Sequence, residues 1–183
     1  MRKDDLVAVA ELIPDLIEDL RYATAENFTG AVLYSFRRAW LRRGTAEKLA
    51  RAQAQLRKQG FRLKLWDAFR PLKAQYRMWE VCPNDDYVAD PTRGGCSNHN
   101  RGSAVDVTLV ALDGAPVAMP SDFDDFSGAA RRDAPCNDPA ARSNSRLLER
   151  VMSECGFQPY IGEWWHYADQ DSYPLERDFC PPE

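Results

Sequence analysis

The chain has 183 residues, enough for one domain with a sizeable core, and 44% hydrophobic against 28% charged residues is an ordinary globular balance. A net charge of −4 argues against a nucleic-acid binder, which carries a basic footprint, and no uninterrupted apolar run approaches the ~18 residues of a membrane span. The opening MRKDDLVAVAELIPDL meets Asp4, Asp5 and Glu11 too early for a secretory signal, so a cytoplasmic protein is expected, or a periplasmic one whose signal has been removed.

In chain order, a short apolar stretch, DLIEDLRY, precedes an Asn-, Thr- and Gly-bearing loop, YATAENFTG. TAEKLARAQAQLRKQGF then reads as a helix, with Thr45 as N-cap, Leu49 and Leu56 on one face, and Gly60 as the stop. In FRLKLWDAF, Phe61, Leu63 and Leu65 alternate as in a strand, and Pro71 fits the first position of a second helix, PLKAQYRMWEV. Residues 82–98 read as a long loop. SAVDVTLVAL is a strand with Val105, Val107 and Leu109 on the core face, which puts Ala104, Asp106 and Thr108 on the other. Residues 113–143 read as irregular, and SRLLERVMSECGF as a third helix ended by Gly156. The aromatic stretch QPYIGEWWHYA is expected to be extended. Two helices therefore end in Gly-Phe and each feeds an extended segment that delivers polar residues: Asp67 and Arg70 from one, Glu163 and His166 from the other. Helices with mainly antiparallel strands in irregular order define an α+β class.

Five cysteines, at 82, 96, 136, 155 and 180, contain no C-x-x-C pair, so a cysteine-based zinc site is not expected. Cys155 falls on the apolar side of the third helix and should be packed. An odd count does not suggest a complete disulfide framework, although one or two bridges among Cys82, Cys96 and Cys136 are compatible with export.

The chain has two histidines, His99 and His166. Taken singly, each reads as a hydrogen-bonded structural histidine, and Asp106 as half of a salt bridge. Together they share a pattern: Asp106 follows His99 by seven positions, and Glu163 precedes His166 by three. Two imidazoles and one carboxylate form a three-ligand site with an open fourth position, the arrangement of catalytic zinc. Asp106 then lines a cleft floor instead of being an unpaired buried charge, which would cost several kcal/mol. Gly102 lets the loop fold back so that His99 reaches the same ion. Glu163, tethered to a ligand, is the better general base, which requires the chain to bend near Trp164 and Trp165.

The motifs S-N-H-N-R-G-S-A-V-D and E-W-W-H fit S-x-H-x-x-G-x-A-x-D and E-x-x-H of the D-alanyl-D-alanine metallopeptidases, a group that includes Hedgehog domains. With RYATAENFTG, LWDAFRP, FDDF and GEWWHY in the same order, the chain most resembles the VanX-type D-Ala-D-Ala dipeptidases over nearly its whole length. The resemblance implies a single domain over 1–183, with a central mainly antiparallel sheet and flanking helices. It implies one zinc ion per chain on His99, Asp106 and His166. Glu163 is then the general base and later the proton donor to the leaving amine, while Arg70 stabilises the oxyanion. Ser97, Tyr22, Asp67 and Asp124 match positions that hold the two ends of a small free dipeptide, the one partner implied. Asp67 could instead orient Arg70.

The segments 82–96, with Cys82, Gly94-Gly95 and Cys96, and 126–143, with Cys136, depart from the family pattern and could reshape the pocket rim. The expected role is cell-wall precursor turnover or glycopeptide resistance. Two neighbouring readings share the fold: a D,D-carboxypeptidase or other peptidoglycan-stem peptidase, and a non-catalytic Hedgehog-like zinc module, against which the base and Arg70 both speak.

Overall fold

The computed structural model describes residues 2–93 and 96–182; Gly94-Gly95 lies outside them. Strands β1 (Leu6–Ala8), β2 (Ile17–Glu18), β3 (Trp40–Arg42), β4 (Phe61–Asp67), β5 (Ala104–Ala111), β6 (Phe157–Pro159) and β7 (His166–Asp169) alternate with helices α1 (Arg43–Arg57), α2 (Leu72–Val81) and α3 (Pro139–Glu154). The main sheet runs β2-β4-β5-β7-β6, and β1 and β3 form a separate antiparallel pair. Only β2–β4 is parallel among the main-sheet pairs; β4–β5, β5–β7 and β6–β7 are antiparallel. This is the α+β architecture expected, with a mainly antiparallel sheet.

The core forms where α1 and α3 cover the sheet. Leu49 and Leu56 of α1, Leu148 and Val151 of α3, and Leu63, Leu65, Val105, Val107 and Leu109 of the central strands belong to one buried apolar cluster. Their alternation along β5 leaves Asp106 and Thr108 on the opposite face, as a two-residue period dictates. That face is covered as well, since Asp106 is only 3% exposed and Thr108 only 6%.

Helix boundaries differ from the sequence reading in three places. Thr45 is not the N-cap of α1: the helix starts two residues earlier, and the backbone carbonyls of Asp5 and Lys3 accept from Arg43 N and Gly44 N. These partners replace a side-chain cap, and Thr45 Oγ1 donates instead to Asp169 Oδ2 at 2.7 Å. Pro71 caps α2 from just outside the helix. Helix α3 begins at Pro139, inside the segment read as irregular: Asp138 Oδ1 accepts from Ala140 N at 2.8 Å and Ala141 N at 3.3 Å, and proline occupies the first turn.

The C-terminal aromatic stretch is not continuously extended. It is the β6–β7 hairpin, whose connection turns through Trp164 and Trp165. Beyond it the chain returns to the 98–101 turn: Glu176 N donates to Asn100 O at 3.0 Å, and buried Arg42 binds Pro174 O and Glu176. All five cysteines are free; Cys155 is buried, and burial pushes its thiol pKa up. No helix among the described residues is long and apolar enough to cross a membrane.

Candidate metal centre and active site

Strand β5 supplies the floor. Asp106 is the register partner of His166 on β7, so the two side chains leave the same face of the sheet. His99 comes from the 3-10 turn Asn98–Arg101, which Ser97 caps by accepting from His99 N at 3.2 Å. Gly102 ends that turn in the left-handed region, φ 70°, and its N–H donates to His99 O. Glycine is favoured there by backbone geometry, since other residues are strained at this φ, and a Cβ would also stand 2.7 Å from the Leu6 side-chain end, Cδ2.

Three donor atoms converge. His166 Nδ1 is 2.9 Å from Asp106 Oδ1, His99 Nε2 is 3.2 Å from His166 Nδ1, and His99 Nε2 is 3.3 Å from Asp106 Oδ1. Ligands held tetrahedrally about 2.0–2.1 Å from zinc stand roughly 3.3 Å apart, so the spacing fits one small ion. His99 Nδ1 donates to Ala68 O at 2.7 Å, which fixes the tautomer and leaves the Nε2 lone pair facing the other two donors.

The electrostatics favour a cation. Burial alone would lower the pKa of His99, but the Asp106 and Asp67 carboxylates together outweigh it and the net shift is upward. Burial opposes ionisation of Asp106 too, yet His99 and the bonds from both histidines hold its carboxyl well below the usual range. Glu163, with Oε2 3.9 Å from His166 Nδ1, is pushed up to about 8 by burial, with Asp106 and Asp124 adding to the rise. Asp124 is pushed up to about 7, again chiefly by burial, against the hydrogen bond from Tyr22. Three groups whose pKa values are raised share one buried cavity.

Arg70 is the fixed cation. Its Nε donates to Asp67 Oδ2 at 2.8 Å, its Nη1 to Gln75 Oε1 at 2.8 Å, and its Nη2 lies 2.6 Å from Asp67 Oδ2 and 3.9 Å from Asp106 Oδ2. Its guanidinium carbon sits 5.0 Å from the Tyr22 ring centroid. Burial lowers the Arg70 pKa, but Asp67, with Tyr22 and Asp106, more than restores it, so the group stays charged.

Of the residues singled out from sequence, Tyr22, Arg70, Ser97, His99, Asp106, Asp124, Glu163 and His166 line one cavity of about 330 Å³. Tyr22 OH donates to Asp124 Oδ1 at 2.9 Å, while Asp124 Oδ2 is buried without a hydrogen-bond partner among the described residues. Asp124 also holds φ 57°, a conformation that costs most side chains about 1–2 kcal/mol but that Asp tolerates. Asp67 is the exception. It is not among the lining residues and has no exposed surface, and it accepts from Tyr34 OH at 2.9 Å and from Arg70. Ser97 reaches the cavity, but its oxygen is already the cap of the metal-loop turn.

Parts of the segments 82–96 and 126–143 reach the rim. Residues 85–89 and Cys96 line it from one side and Phe126 from the other, bridged by Tyr87 OH donating to Phe126 O at 3.2 Å. Gln75 and Tyr34, which hold the guanidinium and its counter-ion, escaped the sequence reading. For Gln75 the signal existed: it is a polar residue on the same buried face of α2 as Ala74 and Met78.

A mainly antiparallel sheet that gathers two histidines and a carboxylate, with a second carboxylate and an arginine beside them, has the construction of a metallopeptidase. The chain matches the D-Ala-D-Ala dipeptidase family of M15 peptidases over residues 2–181, and it belongs to that family. It is 38% identical over 176 residues to the D-alanyl-D-alanine dipeptidase of Escherichia coli (strain K12), covering 95% of this chain and 90% of that protein. It is 34% identical to the proteins of that name from Enterococcus faecalis (strain ATCC 700802 / V583) and Streptomyces coelicolor, in each case over 90% of this chain and 91% of the relative.

Proposed function

We propose that the chain hydrolyses D-alanyl-D-alanine to two D-alanines, using one zinc ion held by His99, Asp106 and His166. The observation that carries the reading is the 2.9, 3.2 and 3.3 Å spacing of their donor atoms, with Glu163 3.9 Å from the nearest of them. Bound there, zinc would supply Lewis-acid polarisation of the scissile carbonyl and greater acidity of the attacking water.

The residues of the chain do the rest. Glu163 takes the proton from water and returns it to the leaving amine, a role its place 3.9 Å from the proposed ligand atom His166 Nδ1 allows. Arg70, locked between Asp67 and Gln75, offers a preorganised charge to the oxygen that becomes negative. Asp124, with one oxygen lacking a partner, receives the substrate ammonium beside Tyr22, and Ser97 contacts the terminal carboxylate. A cavity of about 330 Å³ is at the small end of the roughly 300–1,000 Å³ of ligand sites, which favours a free dipeptide over a peptidoglycan stem. Turnover of cell-wall precursors or glycopeptide resistance is the role we assign. A cytoplasmic location fits five unpaired cysteines.

Glu163→Gln tests the assignment. The variant should keep one zinc per chain and lose about 10²–10⁴-fold in release of D-alanine. Full turnover by the variant would remove Glu163 from the mechanism.

A further inference from the structure

Glu163 sits on the β6–β7 connection and His166 opens β7 directly after it. Tyr160 N donates to His166 O at 3.2 Å and closes the turn at its base, but within the turn Glu163 N to Tyr160 O and His166 N to Glu163 O are both 3.4 Å, long for backbone bonds. A side chain from outside spans its two ends. Arg132 Nε donates to Tyr160 O at 2.7 Å and Arg132 Nη2 to His166 O at 3.0 Å. The backbone follows: Arg132 N donates to Ile161 O at 3.0 Å, and Trp164 N to Ala130 O at 2.8 Å. The guanidinium is itself anchored, because Nη1 donates to Glu149 Oε2 and to Tyr167 OH, each at 3.1 Å, and its carbon lies 4.4 Å from the Tyr167 ring centroid. Only 7% of the Arg132 side chain is exposed.

We propose that Arg132 is a positioning residue: its guanidinium fork joins the carbonyls at both ends of the Tyr160–His166 turn and so sets where Glu163 stands relative to His166. The inference rests on the proposed roles of those two residues. Arg132 lies in the segment that departs from the family pattern and does not line the substrate cavity, so it acts through the turn and not on the dipeptide. The planar fork is the necessary chemistry. A lysine ammonium is a point donor on a flexible stem and cannot hold two carbonyls at fixed separation.

The test compares Arg132→Ala, Arg132→Lys and Glu149→Ala by zinc affinity in competition with a chromogenic chelator, by melting temperature, and by kcat and KM on D-Ala-D-Ala. Arg132→Ala should weaken zinc binding about 10–100-fold, as loss of an orienting partner does, and lower kcat about 10²-fold with KM little changed. Arg132→Lys should resemble Arg132→Ala in both respects. Glu149→Ala removes an anchor but leaves both prongs of the fork, so it should stay near wild type in zinc affinity and kcat even if its melting temperature falls. Guanidinium ion added to Arg132→Ala should restore part of the lost turnover. Melting temperature falling alone in Arg132→Ala, or a wild-type Arg132→Lys, overturns the proposal. Should Arg132→Ala fail to fold, Arg132→Lys against Glu149→Ala decides it. Zinc affinity reads the clamp even if the wild-type protein releases no D-alanine, the outcome that would sink the functional reading instead.

Discussion

Asp67 stands directly opposite Asp106 in the β4–β5 ladder, because the register slips between Leu65 and Asp67. Strict alternation would place Asp67 on the core face with Leu63 and Leu65. The bulge adds one residue, turns Asp67 to the face of its partner, and lets Arg70 Nη2 sit between the two carboxylates, 2.6 Å from Asp67 and 3.9 Å from Asp106. Two carboxylates on adjacent strands are tolerable because one serves the arginine and the other the histidines.

Asp67→Ala therefore leaves a buried guanidinium without its main counter-ion. Denaturant unfolding should show a loss of about 3–5 kcal/mol, the usual effect of breaking a buried pair from one side. Turnover should fall too, since Arg70 loses its fixed aim while the cavity keeps its lining. A variant with unchanged stability would show that Gln75 and Tyr22 suffice to hold Arg70.

Gly102→Ala should act on the metal through the backbone. At φ 70° alanine costs about 1–2 kcal/mol, and its Cβ would stand 2.7 Å from Leu6 Cδ2, so the Leu6 side chain or the turn must shift. His99 is carried by that turn. Zinc affinity should drop along with thermal stability, and chelator competition reads the first while a melting curve reads the second. Wild-type affinity in a destabilised variant would separate the turn from the metal.

The metal-free protein should lose stability as pH rises from about 5 to 8. Burial raises Glu163 to about 8 and Asp124 to about 7, well above the ordinary carboxyl values of about 4 that the unfolded chain has. In that window the native state binds protons that the unfolded state has released, so stability falls with pH. The raised pKa of His99 acts in the same direction: the stability it contributes is present at low pH and fades as pH passes its folded value. Melting temperatures of chelated protein at pH 5, 6, 7 and 8 check this. The gain from added zinc should widen over the same range, because the ligands bind metal in their deprotonated forms. A flat or rising curve for the chelated protein would contradict the shifts.

The cluster of His99, Asp106 and His166 was legible because its signals are local in sequence. Asp106 breaks an apolar alternation, His99 precedes a glycine that reverses the chain, and Glu163 and His166 lie three apart. The strand and helix periods also reported the α+β class. What escaped was set by contacts between distant segments. The Asp67 bulge violates the alternation that sequence reading depends on. The start of α1 is capped by carbonyls of Lys3 and Asp5, which no local motif announces. The start of α3 was signalled, by Asp138-Pro139, but the surrounding Asp- and Pro-rich composition masked it. Nothing in the sequence around Arg132 signals that the fold sets its guanidinium across the β6–β7 turn.

The most direct test of the central claim is D-alanine release from a panel of D-Ala-D-Ala, L-Ala-L-Ala and a stem pentapeptide ending in D-Ala-D-Ala, each with metal-free and zinc-reloaded protein. The account expects rapid cleavage of D-Ala-D-Ala that disappears with chelator and returns with zinc, with the other two substrates poor. Preference for the pentapeptide, or D-Ala-D-Ala cleavage untouched by complete metal removal, would contradict it.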